Sequence, residues 1–128
     1  MPYISYNLNQ ESIDRILEKF PVPEGFNQVL HHVTLFYNPP NDRFEELKKF
    51  FKNPVVDVIG YLQDAKALAL ICTVNETPYR LEGFEGIYHI THSLAGGVKP
   101  VYSNELIQKE WITIKPRFRV FGTVELNR

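Results

Sequence analysis

Cysteine is nearly absent from this sequence, since Cys72 is the one cysteine among 128 residues. A single cysteine excludes an internal disulfide and any metal site built from cysteine pairs, and it fits a reducing compartment. Cys72 lies inside the apolar run AKALALICTV, which favours a buried packing residue over a nucleophile. The fold is therefore expected to depend on its core, without covalent cross-links.

The sequence also lacks a large net charge and long apolar runs. The formal net charge is −1 at pH 7, so the surface offers no general basic field for long nucleic acid, and a nucleic-acid partner should be short. No apolar run reaches about 18 residues and no charged-then-apolar leader opens the chain, which predicts neither a membrane span nor a signal peptide. We therefore expect a cytoplasmic protein with no membrane partner and no obligate protein partner.

The sequence does contain the material for one packed core. Hydrophobic residues make up 44% of the chain and aromatic residues 13%, which favours a globule over disorder, and the length suits a single domain over residues 1–128. The periodicities predict an α+β fold of about six or seven strands, two long helices and a short one. The expected strands are MPYISYNL, NQVLHHVTLFY, PVVDVIGYL, KALALICTV, GIYHITHSL, WITIK and RVFGTVEL; the expected helices are NQESIDRILEKF capped by Asn9, DRFEELKKFF, and NELIQKE capped by Ser103.

One phrase occurs twice, first as HHVTLFY and later in the chain as YHITHSL. Because alternate residues of a strand point to the same face, His32 shares a face with Thr34, and His89 shares a face with Thr91. The residues between them are apolar. Each strand thus has an apolar face for the core and a polar face with one imidazole and one hydroxyl, which predicts two similar halves facing each other across a cleft.

Paired His/Thr sites suit phosphodiester chemistry. An imidazole with a pKa near ~6.5 can take a proton from a nucleophile, and a second imidazole can give one to the leaving oxygen. Two hydroxyls can donate hydrogen bonds to the non-bridging phosphate oxygens, where charge gathers in the transition state. This arrangement requires no metal or other cofactor. A zinc site is the competing interpretation of four histidines, but no Cys-x-x-Cys or His-Glu-x-x-His is present.

The two phrases resemble the motifs of a known family. HVTL at 32–35 and HITH at 89–92 are similar to the paired His-x-(Thr/Ser)-x motifs of the two-histidine (2H), or LigT-like, phosphoesterase superfamily. GVKPVYSNELI and FGTVEL are similar to parts of the cyclic phosphodiesterase domain of fungal and plant tRNA ligases. Phage phosphodiesterases that destroy the cyclic oligonucleotide signals of bacterial immunity belong to the same superfamily.

This resemblance implies a bilobal fold, with two pseudo-symmetric lobes of antiparallel sheet and flanking helices around a central cleft. It implies metal-independent action on 2′,3′-cyclic phosphates, 2′–5′ linkages or cyclic nucleotides. His32 and His89 would be the catalytic acid–base pair, and Thr34 and Thr91 would bind the phosphate. The substrate stays open between a short RNA 2′,3′-cyclic end and a diffusible cyclic nucleotide.

The other two histidines are expected to lie outside the chemistry. His31 is one position out of phase with His32, so it should face away from the cleft. His92 stands where the family usually has an apolar residue, which puts a polar ring on the core-facing side or at a strand end.

Weaker candidates surround the motifs. Tyr3 would stack on a base if its face of the first strand lines the cleft; otherwise it is an ordinary surface tyrosine. Lys99, in the loop after the second motif, is either a phosphate contact or a solvated loop lysine. Tyr102 and Trp111 are expected to pack and not to bind ligand.

Two non-enzymatic interpretations stand beside the phosphodiesterase. One is a nucleotide-binding module of the same fold without turnover, and the other is an interaction domain whose motif match is coincidental. The two intact titratable histidines favour the enzyme, because a pure binding protein does not need them.

Overall fold

The protein, described by a computed structural model over residues 2–79 and 86–127, has the α+β fold expected from its sequence. The described residues form one eight-stranded antiparallel sheet with three α-helices. In chain order the elements are β1 (Tyr3–Leu8), α1 (Gln10–Lys19), β2 (Phe26–Gln28), β3 (His32–Tyr37), α2 (Phe44–Phe50), β4 (Val56–Gln63), β5 (Ala67–Val74), β6 (His89–Ala95), α3 (Ser103–Leu106), β7 (Ile112–Val120) and β8 (Gly122–Asn127).

The strand order brings the two repeated phrases together. The order is β7-β4-β5-β6-β3-β1-β8, and β2 pairs with the end of β6. The strands that carry the phrases, β3 and β6, are therefore neighbours, although far apart in the chain. Val33 lies opposite Ile90 in this antiparallel pair, and this pairing connects β3, β1 and β8 to the other four strands of the path.

The first helix forms as its sequence predicts. The side-chain oxygen of Asn9 accepts a hydrogen bond from the backbone N–H of Ser12 at 2.8 Å, which is the expected N-cap. Glu11 in the first turn and Lys19 in the last complement the helix dipole. Ile16 is buried in the core, so the helix covers one face of the sheet.

Other elements differ from expectation in length. The second helix spans seven residues, because a 3₁₀ turn at Asn41–Arg43 takes up its predicted start. The third spans four residues and includes Ser103, so the prediction that Ser103 caps it is wrong. The residues of WITIK after Trp111 belong to a longer strand that ends at Val120, which divides the expected RVFGTVEL between β7 and β8.

The predicted strand NQVLHHVTLFY is interrupted at Leu30, which has a φ of 37° and a buried side chain. The registers with β6 differ on the two sides of this bend, since Gln28 lies opposite Ser93 and Val33 opposite Ile90. Between these two pairings the segment that joins β2 to β3 is therefore two residues longer than the facing part of β6, as in a bulge. The bend leaves His31 outside the regular strand.

Strand β5 is buried on both faces, and the core divides around it. The larger cluster includes Ile16, Val33 and Ile90 and lies beneath α1 and α2. The smaller one includes Ala69, Leu106 and Ile107 and lies beneath α3. Cys72 is fully buried in the larger cluster. Burial, together with the nearby charge of Asp57, raises the pKa of its thiol, as expected of a packing residue.

No helix in the described part of the chain is long and apolar enough to cross a membrane.

Candidate active site

The four residues of the two motifs line one cleft of about 1310 Å³. His32 and Thr34 reach it from β3, and His89 and Thr91 from β6. The apolar residues between them, Val33 and Ile90, are fully buried on the opposite face. The alternation expected from the sequence thus holds in both strands.

The strand register sets the arrangement within the cleft. Because Val33 lies opposite Ile90 in an antiparallel pair, Thr34 is placed beside His89, and His32 beside Thr91. Neighbouring strands are about 4.8 Å apart, whereas residues two apart along one strand are separated by about 6.7 Å. The backbone position of each histidine is therefore adjacent to that of the threonine of the other motif, across the strand pair.

His89 is held by the backbone. The side chain is 8% exposed, and its Nδ1 lies 3.2 Å from the carbonyl oxygen of Ile87. A carbonyl oxygen only accepts, so Nδ1–H of His89 donates this hydrogen bond. The neutral ring then has its lone pair on Nε2, and the same hydrogen bond persists when the ring is protonated.

His32 is held by another imidazole. Its Nδ1 lies 2.9 Å from Nδ1 of His31, and the two rings meet edge to face with centroids 5.1 Å apart. The ring of Tyr3 lies beside His32 with centroids 5.6 Å apart. Burial, and then the charge of His31, lower the pKa of His32. Lowered basicity keeps His32 neutral near pH 7.

His31 lines the cleft, so the prediction that it faces away is wrong. The prediction assumed strand alternation through residue 31. The bend at Leu30 ends that alternation and turns the exposed ring of His31 onto His32.

Thr91 is tied to α3 by a second hydroxyl. Its Oγ1 lies 2.9 Å from Oγ of Ser103, whose side chain is fully buried. A hydroxyl has one hydrogen. If Ser103 donates to Thr91, the Thr91 hydrogen is available for an oxygen in the cleft. Ser103 therefore orients Thr91.

The weaker sequence candidates occupy different places. Tyr3 lines the cleft next to His32, as its strand face predicted. Lys99 is exposed and precedes Pro100; Pro100 is part of the lining and Lys99 is not. Tyr102 donates a hydrogen bond to Asp64 and packs on the smaller core cluster. Trp111 packs on the same cluster and also lines the cleft.

Several cleft residues gave no signal in the sequence. Asn104, Gln108 and Lys109 lie in and just after α3 and also line the cleft. They lie at no spacing that distinguishes them from a solvated helix end. Among the described residues of the lining, the ionisable groups are imidazoles, phenols and the Lys109 ammonium, with no carboxylate. This charge distribution suits an anion.

His92 lies on the core side of β6, as expected, and its ring is fully buried. Nε2–H donates to the carbonyl oxygen of Phe20 at 2.6 Å, and Nδ1 accepts from the hydroxyl of Ser93 at 2.9 Å. Burial lowers the pKa of His92. Both ring nitrogens are satisfied in the neutral form, so His92 is a structural histidine.

Within residues 2–79 and 86–127, no group of three His, Cys, Asp or Glu side chains is placed to hold a metal ion.

Comparisons of the chain with protein-family models, with curated proteins and with solved structures gave no match.

Proposed function

We propose that this protein is a metal-independent phosphodiesterase of the 2H type, which cleaves 2′,3′-cyclic phosphates or related phosphodiesters by two-histidine acid–base catalysis. The observation that carries the proposal is the meeting of His32, Thr34, His89 and Thr91 in one cleft. Phosphodiester cleavage needs a general base, a general acid and hydrogen-bond donors to the phosphate oxygens. Two imidazoles and two hydroxyls can fill these roles.

The reaction divides among these groups as follows. One neutral imidazole takes the proton of the nucleophile, which is water or a neighbouring ribose 2′-hydroxyl. The other, protonated, gives its proton to the leaving oxygen. The hydroxyls of Thr34 and Thr91 donate to the non-bridging oxygens, where negative charge grows in the transition state. Both motifs lie on paired strands, β3 and β6, and a site built on strands is positioned more precisely than one on loops.

The charges of the cleft support a phosphate ligand. Three imidazoles and Lys109 face the cleft, and its described lining residues include no carboxylate. An anion that enters this cleft is attracted by the positive charge of these groups, and partial exclusion of water strengthens the attraction.

The bilobal architecture of the family is part of the proposal. Strands β3, β1 and β8 would form one lobe, and β6, β5, β4 and β7 the other. Their junction at Val33 and Ile90 would place the phosphate above the line where the lobes meet.

A cyclic oligonucleotide is the second candidate substrate, in the manner of the phage enzymes that degrade immune signals. The cleft volume of about 1310 Å³ exceeds the range of about 300–1,000 Å³ typical of small-molecule pockets. Tyr3, Tyr37 and Trp111 also line the cleft, and stacking of a base on such a ring is worth about 1–3 kcal/mol. Space and stacking surfaces favour more than one nucleotide.

A substrate screen tests the proposal. The protein, in excess EDTA, is incubated with nucleoside 2′,3′-cyclic phosphates, with a short RNA ending in a 2′,3′-cyclic phosphate, and with cyclic di- and trinucleotides. Products are identified by mass spectrometry, and the His32→Ala/His89→Ala double variant is the matched control. We expect turnover of at least one class by the wild type and none by the control. Binding without turnover would favour the nucleotide-binding module, and cleavage retained by the control would reject the site.

A further inference from the structure

We propose that His31 is a positioning residue that makes His32 the general base of the reaction and leaves the role of general acid to His89. This inference rests on the proposed function and adds an assignment that the two similar motifs do not give by themselves. It is argued from the different partners of the two catalytic rings.

The contact between His31 and His32 restricts how many protons the pair can hold. Their Nδ1 atoms are 2.9 Å apart, so one nitrogen donates a hydrogen and the other accepts it. If both rings were charged, both Nδ1 atoms would carry hydrogens directed at each other. The pair therefore disfavours a second proton, and the lowered pKa of His32 agrees with this.

The direction of the hydrogen bond follows from the chemistry. Nδ1 of His32 is engaged with His31, so the nitrogen available to the reaction is Nε2. A base needs its lone pair there, which puts the hydrogen of neutral His32 on Nδ1 and makes His31 the acceptor. When Nε2 takes up a proton, the ring keeps its hydrogen bond to His31. His31 thus orients the base as a carboxylate orients the histidine of a catalytic triad.

The partner of His89 favours the opposite role. Its Nδ1–H donates to the Ile87 carbonyl oxygen, which accepts equally from a neutral or a protonated ring and takes up no proton itself. With His32 as the base, His89 is the second imidazole of the motifs and is left to give the proton that the leaving oxygen receives.

The described residues around His32 include no carboxylate that could orient its ring. The ring of Tyr3 on β1 lies beside it, and Asn7 on the same strand is its register partner. The other ionisable side chains of the described lining are Tyr37 on β3, His89 on β6 and Lys109 after α3. With no carboxylate among these residues, His31 is the side chain placed to fix the tautomer.

The tautomer of His32 tests the positioning role without any substrate. Nitrogen-15 NMR distinguishes the protonated ring nitrogen in the wild type, His31→Ala and His31→Asn. The asparagine Oδ1 can replace the accepting Nδ1 but cannot titrate. We expect the hydrogen of neutral His32 on Nδ1 in the wild type and in His31→Asn, and a mixture of tautomers in His31→Ala. The same tautomer in all three proteins would overturn the proposal.

Kinetics on adenosine 2′,3′-cyclic phosphate test the assignment of roles. We expect kcat to fall about tenfold or more in His31→Ala, as for other partners that orient a functional histidine, with KM little changed and with recovery in His31→Asn. Neither variant can take up a proton beside His32, so the pKa of His32 should rise and the acidic limb of kcat/KM should move to higher pH in both variants. Movement of the basic limb instead would make His32 the acid. If the wild type cleaves no phosphodiester in the screen, the proposed function fails, while the tautomers still report on His31.

Discussion

In the second motif, His89 donates to a backbone carbonyl and Thr91 bonds the buried Ser103. In the first, His32 contacts the exposed, titratable ring of His31, and no described residue gives Thr34 a bond comparable to that of Thr91. The same three-residue pattern therefore sits in one rigid setting and one adjustable setting. The repeated pattern therefore determines which imidazoles and hydroxyls share the cleft. The hydrogen-bond partners of each imidazole determine the protonation state that it favours.

The largest expected effect is loss of either ring. His32→Ala and His89→Ala should each lower kcat by about 10²-fold or more, because each removes a positioned acid or base. The double variant should lose far less than the product of the two losses, since residues that act as a unit are non-additive. Steady-state kinetics on the substrate found in the screen measure this.

The matched control is His92→Gln, which changes a histidine of the same strand on its core side. It should keep kcat at temperatures where it is folded. Near-normal kcat in either His32→Ala or His89→Ala would reject the acid–base pair.

The threonines should give the next largest effect. Loss of one donor to a developing oxyanion costs about 2.7–4 kcal/mol in a water-excluded site, and a partly open cleft should give less. Thr34→Val and Thr91→Val keep the branched shape that strands favour but remove the hydroxyl. We therefore expect both valine variants to lose most of kcat and both serine variants to stay active. Equal behaviour of valine and serine variants would make these threonines strand formers only.

The two valine variants should also differ in their effect on the free energy of unfolding. Thr91→Val leaves the fully buried Ser103 hydroxyl without its partner, which costs about 1–3 kcal/mol. Thr34→Val should cost less in the free energy of unfolding. Chemical denaturation of the two variants measures the difference, and an equal cost would contradict the anchoring of the second motif.

Ser103 itself should have a smaller effect on the reaction. Ser103→Ala removes the hydrogen bond that orients Thr91, and a neutral hydrogen bond is worth about 0.5–1.5 kcal/mol. We expect kcat to fall by about threefold to tenfold with little change in KM. A folded Ser103→Ala protein with unchanged kcat would show that Thr91 needs no support from α3.

Part of this site follows from local sequence. The apolar Val33 and Ile90 force their neighbours to the other face of each strand, so alternation was sufficient to place the four motif residues. The pairing of β3 with β6 was not predictable from alternation, because it joins residues far apart in the chain and depends on the whole strand order. His31 was misplaced because the bend at Leu30 has no periodic signal.

The hydrogen bond between Ser103 of α3 and Thr91 could not be predicted from the sequence, for a related reason. Ser103 has the residue type of an N-cap, and local rules therefore assigned its hydroxyl to the helix. In the folded chain that hydroxyl bonds Thr91 on another element. Lys109 likewise joins the cleft only through the path of the chain after α3.

The lowered pKa values of two histidines predict a small effect of pH on stability. Burial lowers the pKa of both His32 and His92 in the fold, so below about pH 6.5 the unfolded chain binds more protons than the folded one. Stability should be fully present above this pH and decline as the pH falls below it. His92→Gln should be less stable at pH 7 but show a shallower decline of Tm between pH 7 and pH 5. An unchanged slope would mean that His92 is not the buried neutral ring described above.

The central claim is that two titrating imidazoles, acting together, cleave the phosphodiester, and the pH dependence of kcat/KM with and without EDTA tests it most directly. We predict a bell-shaped profile with limbs between about pH 5 and 8. The acidic limb should lie below about pH 6.5, because the pKa of His32 is lowered. EDTA should leave the curve unchanged. A rate that rises steadily with pH and vanishes in EDTA would point to a metal-bound hydroxide and would contradict the account.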